Sequence, residues 1–229
     1  MSLLTICRNA CREAGFAVPG SIVGNTDDTA VLLLACANRA GKLLAKKPWQ
    51  ALQKEYTFST VASTASYALP SDYGWIVNDT AWDRTNYWRL RQSLSALQWQ
   101  EYKSGITASV PRSRMRVKGS LVFIDPTPSS TISMVYEYVS SKWVTDGSSY
   151  FTEFSTDTQT SLISEELIEL EVVWRFMNRK GVAYTEEKNT AEINIQLALA
   201  HDTPANAVNL AGSGGVWPPL PTVPSTGYA

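Results

Sequence analysis

The chain has 229 residues, 44% hydrophobic and 18% charged, with a formal net charge of −1. That length allows one large domain or two small ones, and the balanced charge excludes a bulk electrostatic drive toward nucleic acid or membrane. The three cysteines, Cys7, Cys11 and Cys36, lie near the N-terminus and none follows. This excludes a disulfide framework and leaves them as small buried apolar side chains in a reducing compartment.

In chain order, residues 2–14 carry Leu3, Leu4, Cys7, Ala10, Cys11 and Ala14 at helical spacing, with Arg8, Arg12 and Glu13 outward. There is no apolar signal-peptide core here. The longest apolar run, Ala30–Ala37, falls short of the ~20 residues that cross a bilayer, so a soluble protein is expected. A second helix starts at a Thr26 or Asp27 cap, and Pro48 stops it. Its small residues Ala37, Ala40 and Gly41 predict the close approach of another helix.

The period then changes from 3.6 to 2. Tyr56 and Phe58 alternate with polar residues, Pro70-Ser71-Asp72 reads as a turn in which Asp72 bonds its own backbone, and residues 75–82 are strand-like. Residues 93–104 predict a short helix with Leu94, Leu97 and Tyr102 as apolar positions. A hairpin follows at 113–124 about Gly119-Ser120, and Ile132, Met134, Tyr136 and Tyr138 form a third strand, expected to complete a meander. Residues 145–161 read as a long exposed loop whose Tyr150, Phe151 and Phe154 dock on a neighbour or fold back.

Residues 164–180 predict a helix capped by Ser164, with Leu167, Leu170, Trp174 and Met177 as its stripe and Gly181 as its stop. Residues 184–201, with Ala191, Ile195, Ala198 and Leu199 on one face, close an antiparallel helical hairpin. Residues 203–229 have no period and are rich in Pro and Gly; such a segment lacks the apolar content to fold alone.

The chemistry-bearing residues are few. The single histidine, His201, ends a helix and has no G-x-S-x-G partner motif, which points to a helix C-terminal cation rather than a catalytic base. Asp72, Asp79 and Asp83 lie among Trp75, Trp82, Tyr87 and Trp88, the acids and aromatic platform that sugar chemistry uses; turn-flanking aspartates explain them equally. Arg112, Arg114, Arg116 and Lys118 project from one face of a strand, as a solvated face, an ion-pair surface to a neighbouring subunit, or a phosphate contact. Trp217, in Trp217-Pro218-Pro219-Leu220, stands where no core exists and reads as an anchor for a partner's pocket. No catalytic residue, metal site or cofactor is expected.

Several blocks resemble the head-to-tail adaptors (connector or head-completion proteins) of short-tailed bacteriophages. They are Leu69–Tyr73 (LPSDY), Trp82–Asn86 (WDRTN), residues 93–105 (SLSALQWQEYKSG) and 111–128 (PRSRMRVKGSLVFIDPTP), Tyr136–Val144 (YEYVSSKWV), and residues 161–181 (SLISEELIELEVVWRFMNRKG). The resemblance implies a structural virion protein at the head–tail junction, assembled in the host cytoplasm. It implies a ring, usually of twelve copies, under the portal protein, which extends the DNA channel and docks a downstream tail or nozzle protein. Packaged DNA would pass through without specific binding. It implies a C-terminal segment that locks onto the portal, here expected to use Trp217, Pro218, Pro219, Leu220 and Tyr228, while Arg112, Arg114, Arg116 and Lys118 are candidates for subunit or channel contacts.

The expected fold is α+β. A helical bundle formed by both ends of the chain (1–48 and 162–202) carries an inserted antiparallel β-lobe (49–161) and an extended C-terminal arm (203–229). The alternative function is a carbohydrate-binding, tail-associated protein that uses the aromatic-rich lobe. Exposure of Trp75, Trp82 and Trp88 on one platform would favour it.

Overall fold

A computed structural model describes residues 1–92, 95–104 and 113–202. Among these residues four long helices form the helical body: α1 (Leu3–Glu13), α2 (Asp28–Leu44), α4 (Glu165–Lys180) and α5 (Thr185–Asp202); a short α3 (Ala96–Lys103) lies in the middle of the chain. Helix α4 packs against α1, α2 and α5, and this explains its sequence. Of the expected stripe it buries Leu167 and Met177, while Leu170 and Trp174 stay half-buried; it buries Ile168, Val172, Val173 and Phe176 as well, because a helix with neighbours on three sides needs more than one apolar face. Lys180 reaches Thr29 at 3.2 Å, so α2 runs antiparallel to α4. The α4–α5 hairpin turns at Gly181, whose φ of 74° lies in the left-handed region that glycine tolerates best. Ser164 occupies the N-cap of α4, but its hydroxyl makes no capping bond; Asp27 does cap α2, accepting from Thr29 N and Ala30 N.

The middle of the chain is antiparallel. Strand β8 (Ser133–Ser140) is central: β1 (Gln53–Ser59) pairs along one edge, while β3 (Tyr73–Ile76) and β4 (Trp82–Asp83) share the other, with β5 (Trp88–Arg89) beyond β4. A second sheet has the order β2 (Ser66–Ala68), β7 (Leu121–Asp125), β6 (Arg114–Lys118). The β6–β7 hairpin turns at Gly119-Ser120 with Gly119 at φ 62°, as the primed turns require. The meander is not completed, however. Strand β8 leaves β7 for β1, and the two sheets enclose a core of Met115, Val122, Ile124, Met134, Tyr136 and Tyr138. Both faces of β8 carry buried residues: the second sheet covers Met134, Tyr136 and Tyr138, and the helical core covers Val139 on the other face.

Strand β8 also joins the two cores. Tyr136 and Tyr138 face the sheet core, whereas Val139 and the following Trp143 and Val144 belong to the helical core. A bulge at Gly74 follows the same division. The register jumps from Tyr73↔Ser140 to Trp75↔Val139, so Tyr73 packs with the sheet core and Trp75 with the helical core. Side chains two apart on a regular strand would share a face. A Cβ at Gly74 would lie 2.7 Å from Val139 O, so the bulge needs glycine.

Residues 145–161 are ordered into a small sheet of β10 (Tyr150–Phe151), β9 (Val144–Thr145) and β11 (Thr160–Ser161), in that order, rather than the exposed loop expected. Phe154 is buried and meets Trp143 edge-on at 4.9 Å, and Phe151 packs against the helical core. Asn38 holds the backbone of Phe154 from both sides, accepting from its N–H at 2.7 Å and donating to its carbonyl at 3.4 Å. A helix, α4, does pack on α2, but at Gly41 the neighbour is the Trp143 indole, and a Cβ there would come within 1.9 Å of the ring.

Candidate functional site

The three aspartates that suggested sugar chemistry have structural duties. The carboxylate of Asp72 accepts from Lys54 Nζ at 2.7 Å, Tyr138 Oη at 2.8 Å and Ser140 Oγ at 2.9 Å. Burial opposes its charge, but the bonds from Lys54, Tyr138 and Ser140 outweigh it and hold the carboxyl down at about 2. Asp72 therefore reaches across the sheet rather than to its own backbone. Asp83 is buried and accepts from Thr85 N, Asn86 N and Asn86 Nδ2, an Asx turn. Asp79 pairs with Arg89 at 2.8 Å on the surface.

The tryptophans do not form one platform. Trp75 packs against the helical core. Trp82 pairs with Val135, but Trp88 pairs with Asp83, so Trp82 and Trp88 lie on opposite faces of the ribbon. The arrangement needed by the carbohydrate reading is absent among the described residues.

Of the basic stripe, Arg112 lies outside the described residues. Arg114, Arg116 and Lys118 share one face of β6, opposite Met115, which is buried. The Arg114 guanidinium lies 3.9 Å from the Tyr102 ring centroid, a cation–π contact that ties α3 to the second sheet. Of these three, Lys118 is exposed and the two arginines are half-buried. Of the expected apolar positions on α3, Tyr102 is half-buried, Leu97 is 68% exposed and Leu94 lies outside the described residues; Trp99 is buried instead.

The helical body presents two sides of different charge. Between α2 and α4 lies an open groove of about 720 Å³ with an apolar floor that includes Leu32, Leu43 and Trp174 and a rim of Arg39, Lys46 and Arg179. These three cations have no ion-pair partner among the described residues, whereas Lys42 pairs with Glu153 and Arg175 with Glu171. On the α1–α4–α5 side the carboxyl of Glu13 is pushed up, first by burial and then by Glu169 and Glu187. This concentration of carboxylates was not read from the sequence, because it joins residues of three helices.

A smaller cleft lies where α5 ends, lined by residues that include Trp49, Leu167, Ala198 and His201. Asp202 accepts from Gln50 N at 2.7 Å, and its carbonyl accepts from Gln50 Nε2. Both groups of the last described residue are thus anchored to the start of the β-region. Trp217, Pro218, Pro219, Leu220 and Tyr228 lie outside the described residues.

The described residues contain no group of three or more His, Cys, Asp or Glu placed to bind a metal, and no helix among them is long and apolar enough to cross a membrane. The cysteines are buried, and burial, followed by Cys11, Asp157 and Cys36, pushes the Cys7 thiol up to about 12. It is a packing group, not a nucleophile. The SU10 adaptor protein family matches residues 1–210, over both helical ends and everything between. The chain belongs to the SU10 adaptor protein family. No curated protein matches it significantly. The adaptor is thus a structural, non-enzymatic virion protein of the bacteriophage head–tail junction, where it joins portal and tail components.

Proposed function

We propose that the adaptor assembles as a ring of copies beneath the portal protein, twelve in the arrangement the family resemblance implies. The ring continues the DNA channel and presents a docking surface to the next tail or nozzle protein. Residues 1–48 and 162–202 act as its helical body, 49–161 as an inserted lobe, and 203–229 as an arm that grips the portal through Trp217, Pro218, Pro219, Leu220 and Tyr228. The observation that carries this reading is the match of residues 1–210 to the adaptor family, and it is supported by the bond from Gln50 N to the Asp202 carboxylate. That bond gives the arm a rigid point of departure beside the cleft of Trp49 and Leu167. An arm that starts from a fixed point loses less entropy on docking than one that hangs from a frayed helix, and its prolines reduce the loss further. Packaged DNA passes without specific binding, in keeping with a net charge of −1.

The test is native mass spectrometry of the full-length adaptor and a 1–202 form, each mixed with the portal ring of the same genome. Loading of several full-length copies per ring, lost on truncation, is expected. A full-length protein that binds no portal at any ratio overturns the arrangement.

A further inference from the structure

The helical body carries a second pair of features. The outer face of α5 exposes Ile193 at 60% and Leu197 at 53%, one turn apart on a single stripe, although Ala191 and Ile195 already satisfy the inner face. Glu186 and Glu192 flank that stripe and are exposed; Glu192 carries only a surface pair with Lys188 at 3.5 Å. Isolated exposed apolar residues are ordinary. Two in register on a helix, bordered by acids, match the unoccupied groove between α2 and α4 in character and with opposite charge.

The dimensions agree. From Leu32 to Leu43 on α2 the groove wall spans roughly 16 Å, and from Glu186 to Leu197 the α5 stripe spans roughly the same, at about 1.5 Å per residue. The apolar floor favours a protein helix over a phosphate backbone, which would leave the exposed parts of Leu32, Leu43 and Trp174 without an apolar cover.

We propose that the outer face of α5 in one copy of the adaptor docks into the α2–α4 groove of the next copy, with Ile193 and Leu197 on the apolar floor and Glu186 and Glu192 against Arg39, Lys46 and Arg179. The two patches are different surfaces of one chain, so the contact is heterologous and propagates from copy to copy until rotation closes it into a ring. This inference rests on the reading that copies sit side by side beneath a portal, and it names the surfaces they use. Screened rim charges set partner choice and encounter rate more than raw affinity. A free adaptor with this contact alone therefore self-associates weakly, and the portal gathers the copies.

The test uses full-length Arg39→Glu/Lys46→Glu and Glu186→Lys/Glu192→Lys variants, each first compared with wild type for thermal midpoint. Each is loaded on the portal ring alone and as an equimolar mixture, with copies counted by native mass spectrometry. Alone, each variant places like charges across the contact, and cooperative loading is expected to weaken about tenfold or more. In the mixture every contact again joins opposite charges, and loading returns to within about threefold of wild type. A second readout is a Leu43→Cys/Ile193→Cys variant treated with a short thiol cross-linker, which is expected to give a ladder of joined copies that neither single substitution gives.

Variants that load like wild type, a mixture no better than its parts, or no ladder on a loaded ring overturns the contact while the adaptor arrangement stands. If wild type loads on no portal, that arrangement fails by itself, and the ladder is sought in concentrated free protein, where its absence overturns the contact as well. Retarded DNA migration with wild type but not with Arg39→Glu/Lys46→Glu, together with no ladder, gives the groove to nucleic acid instead.

Discussion

At Asp72 three donors from two strands converge on one carboxylate, and the consequence is a defined acid response. Its folded value of about 2 lies below the reference of 3.8, so the folded state favours the ionised form. The stabilisation is fully present above pH 3.8 and is lost as pH falls toward 2. Urea unfolding followed from pH 5 to pH 2 is expected to show this loss in wild type and a flatter profile in Asp72→Asn. At neutral pH the variant is expected to be less stable by roughly 1–3 kcal/mol, because Lys54, Tyr138 and Ser140 lose a charged acceptor. Gly41 makes an opposing case. Gly→Ala inside a helix normally stabilises by about 1 kcal/mol, but here the new methyl group would overlap the Trp143 indole. Overpacking of that kind costs about 1–3 kcal/mol, so Gly41→Ala is expected to lower the urea midpoint, where propensity alone would raise it.

Among the elements, the segment from Trp143 to Ile163 matters most. It follows β8 out of the sheet core and binds the helical body at several points. Its Gln159 carbonyl accepts from Leu3 N and its Asp157 carbonyl from Leu4 N, at the start of α1. The Asp157 carboxylate accepts from Ile22 N at 3.1 Å and Val23 N at 2.8 Å, and so fixes the α1–α2 connection. Asp157→Ala is expected to speed amide exchange at Ile22 and Val23 by about tenfold or more, since each lost bond to a charged acceptor is worth roughly 1.5–3 kcal/mol. Exchange in the middle of α4 is expected to change little. Unaltered exchange at Ile22 and Val23 would mean that packing, not the carboxylate, holds that connection. The segment looked like a loop because its strands are only two residues long and alternation needs four or more to be read.

For the whole molecule, both ends of the chain meet on α4, and the β-region between them is tied back through β8, Trp143 and Gln50. Forces on the lobe and on the body are therefore shared through packed side chains rather than a hinge of glycines. If residues 203–229 act as the proposed arm, their removal is expected to leave the thermal midpoint within about 2 °C of the full-length value, since terminal segments outside a core contribute little to it. A larger drop would mean that they pack on their own body, and the proposed portal contact would then need a displacement step.

The four long helices, the Gly119-Ser120 hairpin and the alternating strands could be read from the sequence, because each depends on contacts within about four residues or on a simple period: Asp27 caps α2 and Gly181 ends α4 through neighbours in the chain. The resemblance of its longer blocks to head-to-tail adaptors was likewise legible and gave the family. Tertiary structure alone decided which strand pairs with β8, which side of the bulge at Gly74 each aromatic takes, and that Gly41 receives an indole rather than a helix. It alone showed that Asp72 serves residues up to 68 positions away. It also decided the charge of the surfaces, since the basic groove joins α2 to α4 and the acidic side joins α1, α4 and α5. A local pattern records what a residue needs, an apolar neighbour or a partner charge, but not which distant residue supplies it; that is settled only when the two cores close and leave some needs, as in the groove and on the outer face of α5, for another molecule to meet.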